Sequence, residues 1–264
     1  MKENLLSNLL NQNSIQSLFQ IFDENSHNIS LVGGCVRDAF LNKISKDIDV
    51  AANITPDKIL IILNKNNIKY DDYAYKYGSI TAFIEGQKFQ ITSLREDINP
   101  TGRHTSIIFT DDLKIDAARR DFTINSMYLS NDGQLKDFFN GKEDLKNSTL
   151  RFLGKIEKSI QQDYLRIFRY YRFLGVFENP NLINEYDEIL FKYLEKSFNY
   201  LSSDLIRQEI LKMFKTSFPV NCFFNKNDSF KKKNWIKLVS EHYKNEKYNI
   251  SLDKCLNEID SLAY

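Results

Sequence analysis

Disulfide and zinc chemistry are the first things the chain lacks: its three cysteines, Cys35, Cys222 and Cys255, are odd in number and none stands in a C-x-x-C pair. That pattern argues against a disulfide frame or a zinc site and fits small buried thiols in a reducing compartment. Long apolar runs are missing as well. No stretch approaches the roughly 18 uninterrupted apolar residues of a membrane span, and the opening MKENLLSNLLNQNS has no long apolar core. A soluble, cytoplasmic protein with no membrane partner is expected. Nor is one sign of charge in excess. With 36 basic residues against 35 acidic ones, no global basic field announces a polyanion. The halves differ, however: residues 1–148 carry 17 Lys and Arg against 20 Asp and Glu, or −3, and residues 149–264 carry 19 against 15, or +4. The second half is the better candidate for a polyanionic partner.

Apolar content is ample. At 42% of 264 residues, it allows a real core in one large or two modest domains. Leu5, Leu6, Leu9, Leu10, Ile15, Leu18, Phe19 and Phe22 recur near helical spacing, predicting one or two amphipathic helices ahead of the first strand. Thr55-Pro56 followed by Ile59, Leu60, Ile62 and Leu63 predicts another. Tyr77–Ile84 and Lys88–Leu94 alternate as strands around Glu85-Gly86-Gln87. Residues 95–118, with Asn99-Pro100 and Thr101-Gly102, read mostly as a mobile loop. Residues 159–174 read as one helix, on which Asp163, Arg166, Arg169 and Arg172 recur every third residue. Trp235 beside Lys231-Lys232-Lys233 is open between a core tryptophan near a solvated lysine run and an RNA-stacking site.

The chain is organised around Leu31–Val50, which reads as strand, glycine turn, short helix and second strand. At Gly33-Gly34 the missing side chains let backbone N–H groups approach a phosphate closely. Asp47 and Asp49 flank Ile48, so on a strand both carboxylates face one way while Ile48 and Val50 face the core. Two acids at that spacing can share Mg²⁺, the usual partner of substrate phosphates in phosphoryl and nucleotidyl transfer. Singly, a Gly-Gly pair is a turn, a D-x-D is a strand end and Arg37 is a surface charge. Together, in this order, they are the parts a triphosphate needs.

These residues, GGCVRD and then KDIDVAANITP, resemble the head domain of the class II tRNA nucleotidyltransferases, the CCA-adding enzymes, which share the motifs with bacterial poly(A) polymerases. The resemblance implies that Gly33, Gly34 and Arg37 hold the triphosphate and that Asp47 and Asp49 bind a catalytic Mg²⁺. It continues at residues 119–127, RRDFTINSM, similar to the family's RRDFTINAM, which implies that Arg120 and Asp121 hold the nucleotide. QDYLR at 162–166 resembles the E-D-x-x-R motif of the family's neck, where Asp and Arg imitate a complementary base. A carboxylate accepts from the exocyclic amine of C or A, and a guanidinium donates to a ring nitrogen or carbonyl. Asp163 and Arg166 would then select CTP and ATP, with Arg169 and Arg172 nearer the phosphates. GRH at 102–104 resembles the segment that assists the family's switch from CTP to ATP, and residues 202–212 resemble the last neck motif, with Arg207 and Glu209 as structural ion-pairing residues.

Two departures bear on the chemistry. Gln90 stands where a further acid is common, leaving the metal to Asp47 and Asp49 alone, and Gln162 replaces the glutamate that opens the neck motif. The implied fold is α+β: a nucleotidyltransferase head of mixed sheet and flanking helices over 1–148, an all-helical neck over 149–216, and a short helical body remnant over 217–264. The implied activity is template-independent addition of C and A from CTP and ATP to the tRNA 3′ end. Poly(A) synthesis, partial CC or A addition, and a non-catalytic RNA-binding relic are the alternatives. The short C-terminal region implies weak tRNA affinity or a dimer, and no His-Asp pairing suggests an attached phosphohydrolase domain.

Overall fold

The structure, a computed structural model, describes residues 3–102, 104–225 and 231–242, and the side chains among them except those of residues 3–5, 104, 225, 231 and 232. Arg103, the side chains of His104, Lys231 and Lys232, Cys255 and residues 243–264 lie outside the described residues. The chain divides into two compact units. The first holds the described residues up to Asn99, Thr105–Lys146 and Arg151–Leu153, and the second holds Pro100–His104, Asn147–Leu150 and the described residues from Gly154 onward.

In the first unit, helices α1 (Glu3–Leu10) and α2 (Asn13–Glu24) precede strand β1 (Ile29–Val32), helix α3 (Gly34–Phe40), strand β2 (Asp47–Ala52) and helix α4 (Pro56–Lys65). Strands β3 (Lys69–Asp71), β4 (Ser79–Ile84) and β5 (Gln87–Ser93) follow, then β6 (Arg95–Thr101) and β7 (His104–Phe109), whose tip belongs to the second unit. Helix α5 (Leu113–Ala118), strands β8 (Tyr128–Leu129) and β9 (Leu135–Lys136) and helix α6 (Gly141–Lys146) complete it. Seven strands form one mixed sheet in the order β3-β4-β5-β2-β1-β8-β9, in which only β2 and β5 run parallel. The β4–β5 turn is made by Glu85 and Gly86 at φ 49° and 78°, the doubly left-handed form that suits the twist of a hairpin.

The core follows from the apolar spacing. Helix α2 buries Ile15, Leu18, Phe19 and Phe22, each worth about 1.5–3 kcal/mol when fully removed from water. Helix α4 opens on Pro56, whose fixed φ suits a first helical turn, and buries Ile59, Ile62 and Leu63. Both helices pack against β4, and α3 packs against β1 and β2.

Residues 95–118 are not mostly loop. They form the β6–β7 hairpin and helix α5, the latter capped by Asp112, whose Oδ1 accepts from Lys114 N at 2.7 Å. The turn residues that suggested a loop occupy the hairpin itself, with Asn99 at φ 49° and Gly102 at φ 70°.

The second unit is helical apart from a small ladder. It contains α7 (Ile156–Gln162), α8 (Leu165–Leu174), α9 (Asn184–Ser197), α10 (Ser203–Met213), α11 (Val220–Phe223), the short strands β10 (Phe224–Asn225) and β11 (Lys231–Lys232), and α12 (Asn234–His242). Residues 159–174 are thus two helices. Asp163 sits at φ −150°, ψ 106°, and its Oδ1 accepts from Leu165 N at 3.0 Å, a local hydrogen bond that competes with helix continuation. Trp235 is core: it is fully buried, lies 5.6 Å from the Tyr171 ring and donates Nε1 to Cys222 O at 3.2 Å. Lys233 is buried with it, its amine 5.9 Å from the Tyr171 ring, so this member of the lysine run is not on a solvated face.

Candidate active site

Gly33 links β1 to α3 at φ 74°, ψ −126°, a backbone conformation that L side chains rarely adopt. Its α-carbon is closely bracketed. A methyl group there would meet Arg120 Nη1 and Asp49 Oδ2 at 3.5 Å each and Asn125 O at 3.7 Å. At Gly34 a methyl would meet Arg37 Nη2 at 3.7 Å. The glycine pair is therefore walled by two guanidinium groups and one carboxylate, so its bare backbone can meet an anion beside fixed cations.

Arg37 is buried at 9% exposure, and its fork is held on three sides. Nε and Nη2 donate to Asp38 Oδ1 at 2.9 and 2.7 Å, and Nη1 donates to Asn125 Oδ1 at 2.7 Å. Asn125 in turn donates to Asp121 Oδ1 at 3.2 Å, which also accepts from Phe122 N at 2.9 Å. Asp121 is thus a buried support for the turn that holds Arg37.

Along β2, Asp47 is exposed and Asp49 half-buried while Ile48 and Val50 are buried, so the two acids share one face. Parallel pairing sets Asp47 beside Lys88 and Asp49 beside Gln90. Lys88 Nζ is 4.0 Å from Asp47 Oδ1, a surface ion pair worth little. Gln90 donates to Ser79 Oγ at 3.3 Å, and an amide brings no charge to a cation. Among the described residues no group of three or more His, Cys, Asp and Glu is arranged to hold a metal. Two hard carboxylates on one face fit Mg²⁺, which commonly takes one or two of them and fills its shell with substrate phosphate and water. Burial, then the charge of Asp49, push the Cys35 thiol up to about 12.

Asp116 was not visible as a functional residue in the sequence. Its buried carboxylate accepts five hydrogen bonds: Oδ1 from Arg95 N at 3.2 Å and from Arg119 Nε and Nη2 at 2.9 and 2.7 Å, and Oδ2 from Arg120 Nη2 at 3.1 Å and Tyr128 Oη at 2.6 Å. Arg120 Nε also donates to Tyr128 Oη at 3.1 Å. Burial pushes the Asp116 carboxyl up, but Arg120, Arg119 and the Tyr128 hydroxyl outweigh it and hold it at about 2. Asp116 precedes Arg120 by four residues, the spacing of an ordinary helix ion pair, and that blandness hid it.

The remaining sequence candidates lie in the second unit. Asp163 occupies the break between α7 and α8. Arg166, buried at 8% exposure, donates Nη1 to Ser159 Oγ at 2.6 Å and to Gln162 Oε1 at 3.3 Å. Gln162 thus supports the arginine through its amide oxygen. Arg169 and Arg172 stack on Phe173 at 5.4 and 4.5 Å from the ring centroid. Arg172 Nε also lies 3.2 Å from Glu209 Oε2, an ion contact without hydrogen-bond geometry, and Lys212 Nζ donates to Glu209 Oε1 at 2.8 Å. Arg172 is thereby engaged in joining α8 to α10. The tip of the β6–β7 hairpin belongs to the same unit: Gly102 N donates to Gln161 O at 2.9 Å and Tyr164 N to Gly102 O at 3.0 Å.

The structure brings Asp49 and Arg120 to Gly33, with Arg37 beside Gly34 and Asp121 behind it, and separately joins Asp163 and Arg166 at the α7–α8 break, where Arg166 N donates to Asp163 O at 3.0 Å.

Residues 29–151 match the family described as Poly A polymerase head domain. The chain is 44% identical over 162 residues to CCA tRNA nucleotidyltransferase 1, mitochondrial, of Homo sapiens, covering 61% of this chain and 37% of that one. A solved CCA-adding enzyme complexed with CTP superposes with a TM-score of 0.65 at 26% identity, covering 83% of this chain and 52% of the other. A tRNA nucleotidyltransferase complexed with a primer tRNA and an incoming ATP analog gives 0.62 at 25%, covering 78% and 58%. The chain spans between about a third and three fifths of the length of these relatives.

Proposed function

Residues 29–151 belong to the Poly A polymerase head-domain family, and from that premise we propose that this chain is a nucleotidyltransferase that adds C and A from CTP and ATP to the tRNA 3′ end without a template. The observation that carries the proposal is the convergence of Asp49 Oδ2 and Arg120 Nη1 on Gly33, each 3.5 Å from where a methyl group on that glycine would stand. A glycine backbone, a metal-binding carboxylate and an anchored guanidinium are what an incoming triphosphate requires.

In the proposed reaction the tRNA 3′-hydroxyl attacks the α-phosphate and pyrophosphate leaves. Asp47 and Asp49 would hold Mg²⁺, which would lower the hydroxyl pKa and neutralise phosphate charge. The Gly33-Gly34 backbone and Arg37 cradle the triphosphate, and Arg120 donates Nη1 to the nucleotide while its other nitrogens stay fixed on Asp116 and Tyr128. Asp121 supports the site through Asn125. Asp163 accepts from the exocyclic amine of C or A, and Arg166 donates to the ring. Arg169 is assigned to the phosphates, and Arg172, in ion contact with Glu209, to fixing the helix that carries Arg166 and Arg169.

The relatives' printed names and titles, with CTP, a primer tRNA and an ATP analog, support these substrates. We assign residues 1–148 to the head, 149–216 to the neck and 217–264 to the start of a helical body. No helix of the described residues is long and apolar enough to cross a membrane. The three unpaired-pattern cysteines support a cytoplasmic location, although the human relative is named mitochondrial.

The test uses the purified chain with tRNA transcripts ending in no tail, in C and in CC, each with one NTP at a time. Stepwise CTP and then ATP incorporation is expected. Long ATP runs on any RNA would identify a poly(A) polymerase, and no incorporation with any NTP would overturn the proposal in favour of an RNA-binding relic.

A further inference from the structure

We infer that Asp116 and Tyr128 are positioning residues that aim Arg120 at the nucleotide, an inference that rests on the proposed function and extends it to two residues outside the recognised motifs. An arginine offers its donors in one rigid plane, so fixing two nitrogens fixes the direction of the third. Here Nε is taken by Tyr128 Oη and Nη2 by Asp116 Oδ2, and Tyr128 Oη closes the triangle by donating to the same Oδ2 at 2.6 Å. The remaining nitrogen, Nη1, lies 3.5 Å from where a methyl group on Gly33 would stand, as does Asp49 Oδ2.

The guanidinium carbon sits 5.4 Å from the Tyr128 ring centroid, so the ring supports the same plane from its face. Tyr128 has no freedom to drift: it is fully buried, at 6.5 Å from Phe138 in an edge contact and within a core of Val32, Ala51, Leu94 and Ala117. Asp116 is fastened on its other oxygen by Arg119 and the Arg95 amide. The triangle therefore stands before any ligand arrives, which spares the nucleotide the cost of ordering a long side chain. Asp116 stays ionised through the working pH range, since its carboxyl is held at about 2.

Equilibrium CTP binding and steady-state kinetics on the full chain test this with Tyr128→Phe, Asp116→Asn, Arg120→Lys and the Tyr128→Phe/Arg120→Lys double variant. Tyr128→Phe removes only the hydroxyl, and with it the bonds from Arg120 Nε and to Asp116 Oδ2, so the expected result is a loss of CTP affinity of about tenfold, appearing as a raised KM with kcat little changed, because Arg120 loses one of its two anchors. Because the hydroxyl acts through Arg120, the double variant should bind no more weakly than Arg120→Lys alone. CTP affinity unchanged in a folded Tyr128→Phe, or losses that add in the double variant, would overturn the inference. If Tyr128→Phe does not fold, Asp116→Asn with Arg120→Lys completes the same cycle and is read the same way. A wild-type chain that binds no CTP overturns the proposed function itself and this inference with it, whereas wild-type binding with an indifferent Tyr128→Phe overturns the inference alone.

Discussion

Arg166 donates to the hydroxyl of Ser159 at 2.6 Å, across the break that separates α7 from α8. The serine is fully enclosed, at 2% exposure, and it shares the guanidinium nitrogen with the amide oxygen of Gln162. Both of these partners are uncharged, and each fixes the direction of the same guanidinium nitrogen. Ser159→Ala is expected to leave a buried N–H short of a partner, at a cost of about 1–3 kcal/mol. With the proposed base contact loosened, GTP and UTP incorporation relative to CTP should rise about tenfold, from a loss of discrimination of about 1.4 kcal/mol. Single-nucleotide incorporation with each NTP measures this, and an unchanged preference would remove Arg166 from base selection.

The register of β2 against β5 makes a prediction about metal demand. Gln90 is paired with Asp49 on the same face of the sheet. Gln90→Glu would add a third hard oxygen donor beside the two acids and should lower the Mg²⁺ concentration for half-maximal activity severalfold. Asp49→Ala should abolish incorporation while leaving tRNA affinity, measured by gel shift, within about twofold, a spread of about 0.4 kcal/mol.

Gly33 cannot be replaced cheaply. The space around its α-carbon admits a methyl at ordinary contact distance, 3.5 Å from its nearest neighbours, but φ 74° with ψ −126° does not suit one. Gly33→Ala should cost about 1–3 kcal/mol of strain or turn the loop away from Arg120. A lowered melting temperature or a loss of CTP binding is expected, and a variant with both intact would show that this backbone shape is not required.

The Asp116 carboxyl gives a pH dependence with a definite sign. Its folded-state value, about 2, lies below the ordinary 3.8. A depressed carboxylate contributes its full stability above the unfolded value and loses it as pH falls through the folded one. The difference corresponds to about 2 kcal/mol. Denaturant unfolding of wild type and Asp116→Asn should therefore differ by a constant amount between about pH 5 and 8 and converge only as pH falls below about 2. A difference that persisted into strong acid would mean that packing, not charge, carries the role of Asp116.

How much of this was readable beforehand depended on whether the chemistry needed special residue types. Gly33, Asp47 and Asp49 could be read because a turn at that φ demands glycine and a strand alternates its faces. The helices α2 and α4 and the β4–β5 turn were legible from apolar spacing and turn residues for the same reason. The β6–β7 hairpin was not, since Asn99-Pro100 and Thr101-Gly102 sit within the strands and tip that they were expected to replace with loop. The α7–α8 break escaped because apolar and charged spacing runs through Asp163 unchanged, and the interruption shows only in its extended backbone and in the hydrogen bond its side chain accepts from Leu165 N. Asp116, Tyr128 and Ser159 carry common side chains at unremarkable spacing. Their roles emerge only where separate stretches of chain converge.

The Arg95 backbone amide and the Arg120 side chain hang from opposite oxygens of one carboxylate. Deuterium uptake at that single amide, at the root of β6, is consequently a remote gauge of whether Arg120, the proposed nucleotide contact, is seated on Asp116. It can be followed by NMR as nucleotide is titrated, with no label placed in the cleft.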